Sequence, residues 1–188
     1  MKKKLAVFAA GLALVAAASA APTLNQTNGH YYDFIGVPGG FTFAEALANA
    51  GTLTHAGWTG YLATVTDMSE HTFITSLTGA TAWIAATDAA AEGTFRWVAG
   101  PEAGSVLSFT NWSAGEPNNC CSAGEDEVVI NWGAGGTWND IGNPSFPDYR
   151  VGYIVEFSAP PTGVPEPGSL ALALLALAGL GAAKRRKQ

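Results

Sequence analysis

The sequence predicts an α+β domain. Two capped helical segments come early, and from Ala82 onward the chain turns to short β-branched and aromatic runs with glycine-rich turns between them. There are no internal repeats. Helices gathered first, with strands and long loops after them, mean α+β.

The elements follow in order. His30 to Ile35 is aromatic and β-branched and forms a first strand. Thr42 is a helix N-cap, and Glu45 three residues on completes a capping box, so a helix runs from Phe43 to Ala50 and stops at Gly51. Tyr61 to Val65 is a short strand. Ser69 caps a second helix, Glu70 to Leu77, with Phe73, Ile74 and Leu77 on one face and Gly79 after its end. Trp83 to Ala85, Thr94 to Trp97, Val128 to Ile130 and Tyr153 to Phe157 are the later strands.

Both ends read as addresses. Lys2-Lys3-Lys4, an apolar run from Leu5 to Ala17 and the small residues Ala18-Ser19-Ala20 make residues 1–20 an export signal. At the other end, residues 160–168 are a proline-rich linker containing Pro165-Glu166-Pro167, and 169–188 are an apolar stretch closed by Lys184-Arg185-Arg186-Lys187. That stretch is marginal for a bilayer of about 30 Å, and its basic end would stay cytoplasmic. The domain itself is 21–159. In order and content the tail resembles the PEP-CTERM sorting signal of Gram-negative bacteria. The resemblance implies processing by an exosortase, transient inner-membrane anchoring and a final place at the cell surface or outside it.

Charge excludes one function class. Of the 9 Lys and Arg only Arg96 and Arg150 lie in residues 21–163, against 14 of the 15 acidic residues, so that body carries 2 − 14 = −12. Two cationic side chains cannot neutralise a phosphate backbone, so nucleic acid is not the partner. Self-repulsion on this scale destabilises a compact state unless cations offset it, so the excess reads as a calcium protein or, alternatively, as an acidic, soluble secreted surface. The 2 cysteines, Cys120 and Cys121, are adjacent. Their options are a vicinal disulfide, a bridge to another chain or two thiols, and none of these staples the fold.

The acidic excess is concentrated. Glu116-Pro117-Asn118, Glu125-Asp126 and Trp138-Asn139-Asp140 put carboxylates and amides in three clusters, with no His or Cys ligand spacing among them. Hard oxygen donors in this density suit Ca²⁺, which takes about 6–8 oxygens. A Glu accepts a hydroxyl proton while an Asn amide donates to the oxygen, so Glu/Asn pairs serve both a metal and a sugar hydroxyl. Glu116 with Asn118, and Glu125 with Asn139, are two such pairs, and Asp140 adds a carboxylate. A cis Glu116–Pro117 bond would aim both flanking side chains at one ion.

These motifs, with Tyr61-Leu62-Ala63-Thr64-Val65, Trp83-Ile84-Ala85, Glu92 to Trp97 and Phe109-Thr110-Asn111-Trp112, resemble the C-type lectin domain over Tyr31 to Phe157. The resemblance implies two helices packed on short antiparallel sheets with a long calcium-binding loop. It implies metal ligands Glu116, Asn118, Glu125, Asn139 and Asp140, and an auxiliary calcium site of Asp88, Glu92, Asn119 and Asp126. Glu-Pro-Asn goes with mannose- and glucose-type sugars in this family. The chain departs from the pattern at Ala85, where glycine is usual, and at Glu127, Asn143 and Val155, where three cysteines would fall. One extra residue lies between Asn118 and Glu125.

Trp83, Trp97, Trp112 and Trp138 are core residues, whereas Trp132, followed by Gly133-Ala134-Gly135-Gly136, is the candidate sugar platform. His30, His55 and His71 are structural or solvent-facing. The functional expectation is a calcium-dependent carbohydrate-binding domain acting on mannose-type sugars or exopolysaccharide. The alternative is a matrix or adhesion protein whose calcium stiffens the loop for protein binding. An enzyme using Glu116 and Glu125 as a glycosidase pair is disfavoured, because ionised metal ligands cannot readily serve as a general acid.

Overall fold

The computed structural model describes residues 21–120, 124–141 and 150–159. The export signal, Cys121, Asn143, and the linker and tail from Pro160 lie outside those residues. The strands are β1 (Thr23–Leu24), β2 (Tyr31–Ile35), β3 (Thr54–His55), β4 (Trp58–Thr59), β5 (Tyr61–Leu62), β6 (Ala82–Thr87), β7 (Arg96–Trp97), β8 (Glu127–Ile130), β9 (Asn139–Ile141) and β10 (Gly152–Phe157). Helix α1 spans Phe43–Ala50, α2 spans Met68–Leu77, and a short 3-10 turn covers Ala134–Gly136.

One eight-stranded sheet runs β1-β2-β10-β6-β8-β9, with β5 added on β10 and β7 on β6, and β3 and β4 form a separate hairpin. The expected α+β fold of two helices on short, mostly antiparallel strands is present, with one parallel pair within it. Gly152 and Tyr153 of β10 lie parallel to Ala82 and Trp83 of β6. Parallel neighbours need a long crossover, and the loops between these two strands provide one.

Helix α1 begins as the sequence indicates: Thr42 accepts from the Glu45 N–H, and Glu45 returns a bond to the Thr42 N–H. Only Ala46 and Ala50 are buried on it, so small residues let the helix sit close to the sheet. The cap of α2 is Asp67 rather than Ser69. Its backbone is extended and its Oδ1 accepts from the Glu70 N–H at 2.9 Å, which starts the helix at Met68 and leaves Ser69 inside it. The strand expected over Tyr61 to Val65 stops at Leu62. Thr64 turns its N–H to the Glu156 carboxylate instead of continuing the ladder.

The core is aromatic at its centre. Trp83, Trp97 and Trp138 are at most 1% exposed. Trp138 packs edge-on against Trp97 at 6.4 Å, Phe109 at 5.8 Å and Trp112 at 5.7 Å. Its indole N–H donates to His71 Nδ1 at 3.2 Å, so the one polar atom of the ring is satisfied. Burial holds His71 below its usual pKa, in keeping with a neutral acceptor. Truncating such a residue costs about 3–5 kcal/mol. Trp138 therefore anchors the segment that enters β9. Among the described residues, no helix is long and apolar enough to cross a membrane.

Candidate functional site

Two neighbouring strands present the site. β8 and β9 pair antiparallel with Val128 opposite Asp140 and Val129 opposite Asn139. Both acceptors are buried, Asp140 at 1% and Asn139 at 4% exposure. A polar pair at that depth needs partners. The loop after β7 supplies them. Ser113 N–H donates to the Trp138 carbonyl at 2.8 Å and Glu116 N–H to the Ser113 carbonyl at 3.0 Å, tying the loop to the anchored tryptophan. The Glu116–Pro117 peptide is cis. The next two N–H groups, of Asn118 and Asn119, donate to the Asp140 carboxylate at 3.1 and 2.8 Å.

Asn119 sits in the left-handed region (φ 46°), and its side-chain oxygen accepts from the Glu125 N–H at 2.7 Å. Glu125 Oε2 in turn accepts from the Cys120 N–H at 3.1 Å. Cys120 is disulfide-bonded, and Cys121, the only other cysteine of the sequence, lies outside the described residues. The fold thus brings the carboxylates of Glu116, Glu125 and Asp140 near one another and ties the Asn118 backbone to Asp140, with Asn139 next to Asp140 on β9.

The electrostatics of that knot are unbalanced. Burial raises the Glu116 carboxyl above its usual pKa, and the charges of Asp140 and Glu125 raise it further. Glu125 is also pushed up, first by burial and then by Asp140, against the opposing Cys120 N–H bond. Glu116 Oε2 and Asn139 Oδ1 are buried without a hydrogen-bond partner. Orphaned buried acceptors are rare and call for an explanation. A hard cation fits these residues: it would satisfy both oxygens and offset the crowded carboxylates.

A second acidic cluster adjoins the first. Asp88, 2% exposed, accepts from the Gly93 N–H through Oδ2 at 2.7 Å, while its Oδ1 has no partner. Burial, then Glu92 and Asp126, raise its pKa to about 6. Glu127 belongs here too and was missed by sequence reasoning: burial, with Asp126 and Asp88, brings it to about 7. Its signal was an acid at the head of a β-branched run. Asn119, expected in this cluster, has its side-chain oxygen bound to the Glu125 N–H of the first cluster. Trp132 is 45% exposed on the β8–β9 connection, its N–H on the Thr137 carbonyl at 3.0 Å.

A third grouping contrasts with these. Donor atoms of His30, Glu70 and Glu156 lie within 4.8 Å of one another. Here every carboxylate oxygen is already satisfied. Glu70 takes bonds from Tyr32, Asn28 and both Thr66 donors. Glu156 takes them from His30 and both Thr64 donors. This network is closed, whereas the loop clusters keep open acceptors. The expected structural role of the histidines takes this form at His30. A charged residue inside the run Tyr153 to Phe157 was the available signal, because a buried carboxylate must be paired.

Comparison with known proteins bears on the domain and on the tail. Residues 54–142 match the family described as Lectin C-type domain, and residues 163–187 match the PEP-CTERM protein-sorting motif. Halomucin of Haloquadratum walsbyi is 33% identical over 139 residues, which cover 69% of this chain and 1% of that protein. Versican core protein of Rattus norvegicus is 36% identical over 81 residues, 43% of this chain and 3% of that protein. The chain thus spans only a small part of the curated relatives it matches. The crystal structure of C-type lectin CEL-I from Cucumaria echinata superposes with a TM-score of 0.56 at 23% identity, covering 69% of this chain and 90% of that one. The chain carries a domain of C-type lectin-like fold, followed in sequence by a PEP-CTERM protein-sorting motif.

Proposed function

We propose that the domain is an exported, calcium-dependent carbohydrate-binding module for mannose- and glucose-type sugars, with exopolysaccharide as a natural target. The observation that carries this reading is the pair of buried orphan oxygens, Glu116 Oε2 and Asn139 Oδ1, among the carboxylates of Glu125 and Asp140. Glu116, Asn118, Glu125, Asn139 and Asp140 hold the ion. Calcium, when bound, supplies a hard cation with coordination positions left for two adjacent hydroxyls. Glu116 and Glu125 accept the hydroxyl protons and the amides of Asn118 and Asn139 donate to the oxygens. Trp132 offers a stacking face. Asp88, Glu92 and Asp126 would hold an auxiliary ion through carboxylates, with Glu127 beside them and Asn119 joining only through an oxygen it shares with the Glu125 N–H. The domain binds rather than catalyses. The tail anchors it transiently in the inner membrane until an exosortase acts at Pro165-Glu166-Pro167.

Isothermal titration with mannose-type oligosaccharides, in calcium and in EDTA, tests the reading. Heat in calcium that vanishes in EDTA supports it; silence across a glycan panel in calcium defeats it.

One observation favours a second reading. Both Asp140 oxygens are taken by backbone N–H groups, so this residue already fastens the loop without a sugar. In that case calcium only stiffens the loop, and the partner is a protein of a matrix or adhesion layer. Calcium-dependent melting without glycan binding distinguishes the two.

A further inference from the structure

A cleft of about 500 Å³ opens where the chain leaves the domain. Trp58, Tyr61, Gly100 and Pro101 wall it, and Ser158 and Ala159 close its end. None of its lining side chains is charged, in a body whose net charge is strongly negative. The aromatic walls are held in place. Trp58 lies 6.1 Å from the Tyr31 ring, and the Tyr61 hydroxyl is 2.7 Å from Ser158 Oγ. Gly100 has φ +73°, and a Cβ there would come within 2.6 Å of the Tyr61 ring, so glycine is what lets that ring lie against the turn.

The chemistry of the cleft matches the sequence that leaves it. Ala159 is part of the wall, and the next residues are Pro160-Pro161-Thr162-Gly163-Val164-Pro165-Glu166-Pro167, uncharged until Glu166. Prolines fix φ and favour the extended polyproline helix, which aromatic-lined grooves bind at low entropic cost. The covalent tether adds an effective concentration in the millimolar range, so even a weak contact is populated. At about 3.1 Å per residue, the eight residues reach roughly 25 Å, enough to cross such a cleft.

We propose that the proline-rich segment beginning at Pro160-Pro161 docks into the Trp58–Tyr61–Pro101 cleft of its own domain. The sorting motif then starts from a fixed base on the folded body and not from a free tether. The processing enzyme meets Pro165-Glu166-Pro167 at a set distance from the domain, and residues up to Gly163 stay shielded. This inference is independent of the sugar-binding reading.

The test uses the full chain in detergent micelles. Nuclear Overhauser contacts between the Trp58 indole and the ring protons of Pro160 or Pro161 are expected. Thermolysin cleavage at Gly163–Val164 should run about 5-fold faster in Trp58→Ser, the effect of releasing a contact of about 1 kcal/mol. If that variant fails to fold, Pro160→Ser with Pro161→Ser leaves the domain untouched and should show the same acceleration. Absence of the Trp58–proline contacts together with unchanged cleavage rates overturns the proposal. So does movement of the Trp58 resonances on adding a mannose oligosaccharide in EDTA, which would make the cleft a second sugar site.

Discussion

Asp140 clasps the backbone of Asn118 and Asn119, one carboxylate oxygen to each N–H, at 3.1 and 2.8 Å across 22 and 21 residues of sequence. It is the joint between the strand that faces the core and the loop that carries Glu116. Asp140→Asn keeps the shape and removes the charge, leaving at best one acceptor for two donors. Stability in EDTA should fall by about 2–4 kcal/mol, because charge-assisted bonds to a buried carboxylate are lost. Calcium affinity should fall with it. Chemical unfolding in EDTA and calcium titration calorimetry measure the two effects.

Glu116→Gln should act in opposite directions on the same two quantities. Without metal, Glu116 is a half-buried carboxyl, its Oε2 unpartnered, beside Asp140 and Glu125, so neutralising it removes repulsion. The melting temperature in EDTA should rise by about 1–3 °C, because solvent screens the repulsion at a half-buried group to well under about 1 kcal/mol. The increase that calcium adds to the wild type should shrink. A variant less stable than wild type in EDTA would mean that Glu116 is an ordinary structural side chain.

Trp132→Ala should separate sugar from metal. The side chain is 45% exposed, so stability should change by no more than about 0.5 kcal/mol. Calcium affinity should be unchanged, while affinity for a mannose oligosaccharide drops about 2- to 10-fold, the worth of one stacked ring. Equal sugar affinity in calorimetry would remove Trp132 from the site.

His30 gives the domain a pH signature away from the calcium loop. Its Nδ1 lies 2.6 Å from Glu156 Oε1, and that bond raises the imidazole above its usual 6.5, with Glu156, Glu70 and Glu102 adding to the effect and burial opposing it. A folded-state pKa raised above the unfolded one means stabilisation that is complete below the unfolded value and lost as pH climbs through the folded one. The melting temperature of wild type should therefore exceed that of His30→Gln most below the ordinary imidazole pKa of 6.5, and the gap should shrink as pH rises above it. A gap that widens with pH would reverse the assignment.

What the sequence disclosed was mostly local. Thr42 with Glu45, and Gly51 after Ala50, fixed α1 because a cap is satisfied within four residues. The cap of α2 was misplaced by two because Asp67 and Ser69 are both good caps, and only the extended backbone at Asp67 decides between them. The hairpin of Thr54–His55 and Trp58–Thr59 escaped notice, since two-residue strands leave no alternation to detect. β9 was hidden because Asn139 and Asp140 are poor strand formers, held there by pairing with Val128 and Val129 and by the Trp138 anchor. The oxygen-rich residue types of the loop were visible in one dimension. The orphaned oxygens, the enrolment of Glu127 and the closed His30–Glu70–Glu156 network are long-range facts that no spacing encodes.

Val155 and Glu127, where the resemblance would place cysteines, are instead strand residues, and Val155 is fully buried between Asp33 of β2 and Leu62 of β5. Hydrophobic burial and ladder bonds do there what a crosslink would do. It follows that reductants such as dithiothreitol should leave the sheet standing, and that the sheet should refold after denaturation without an oxidant or disulfide isomerase.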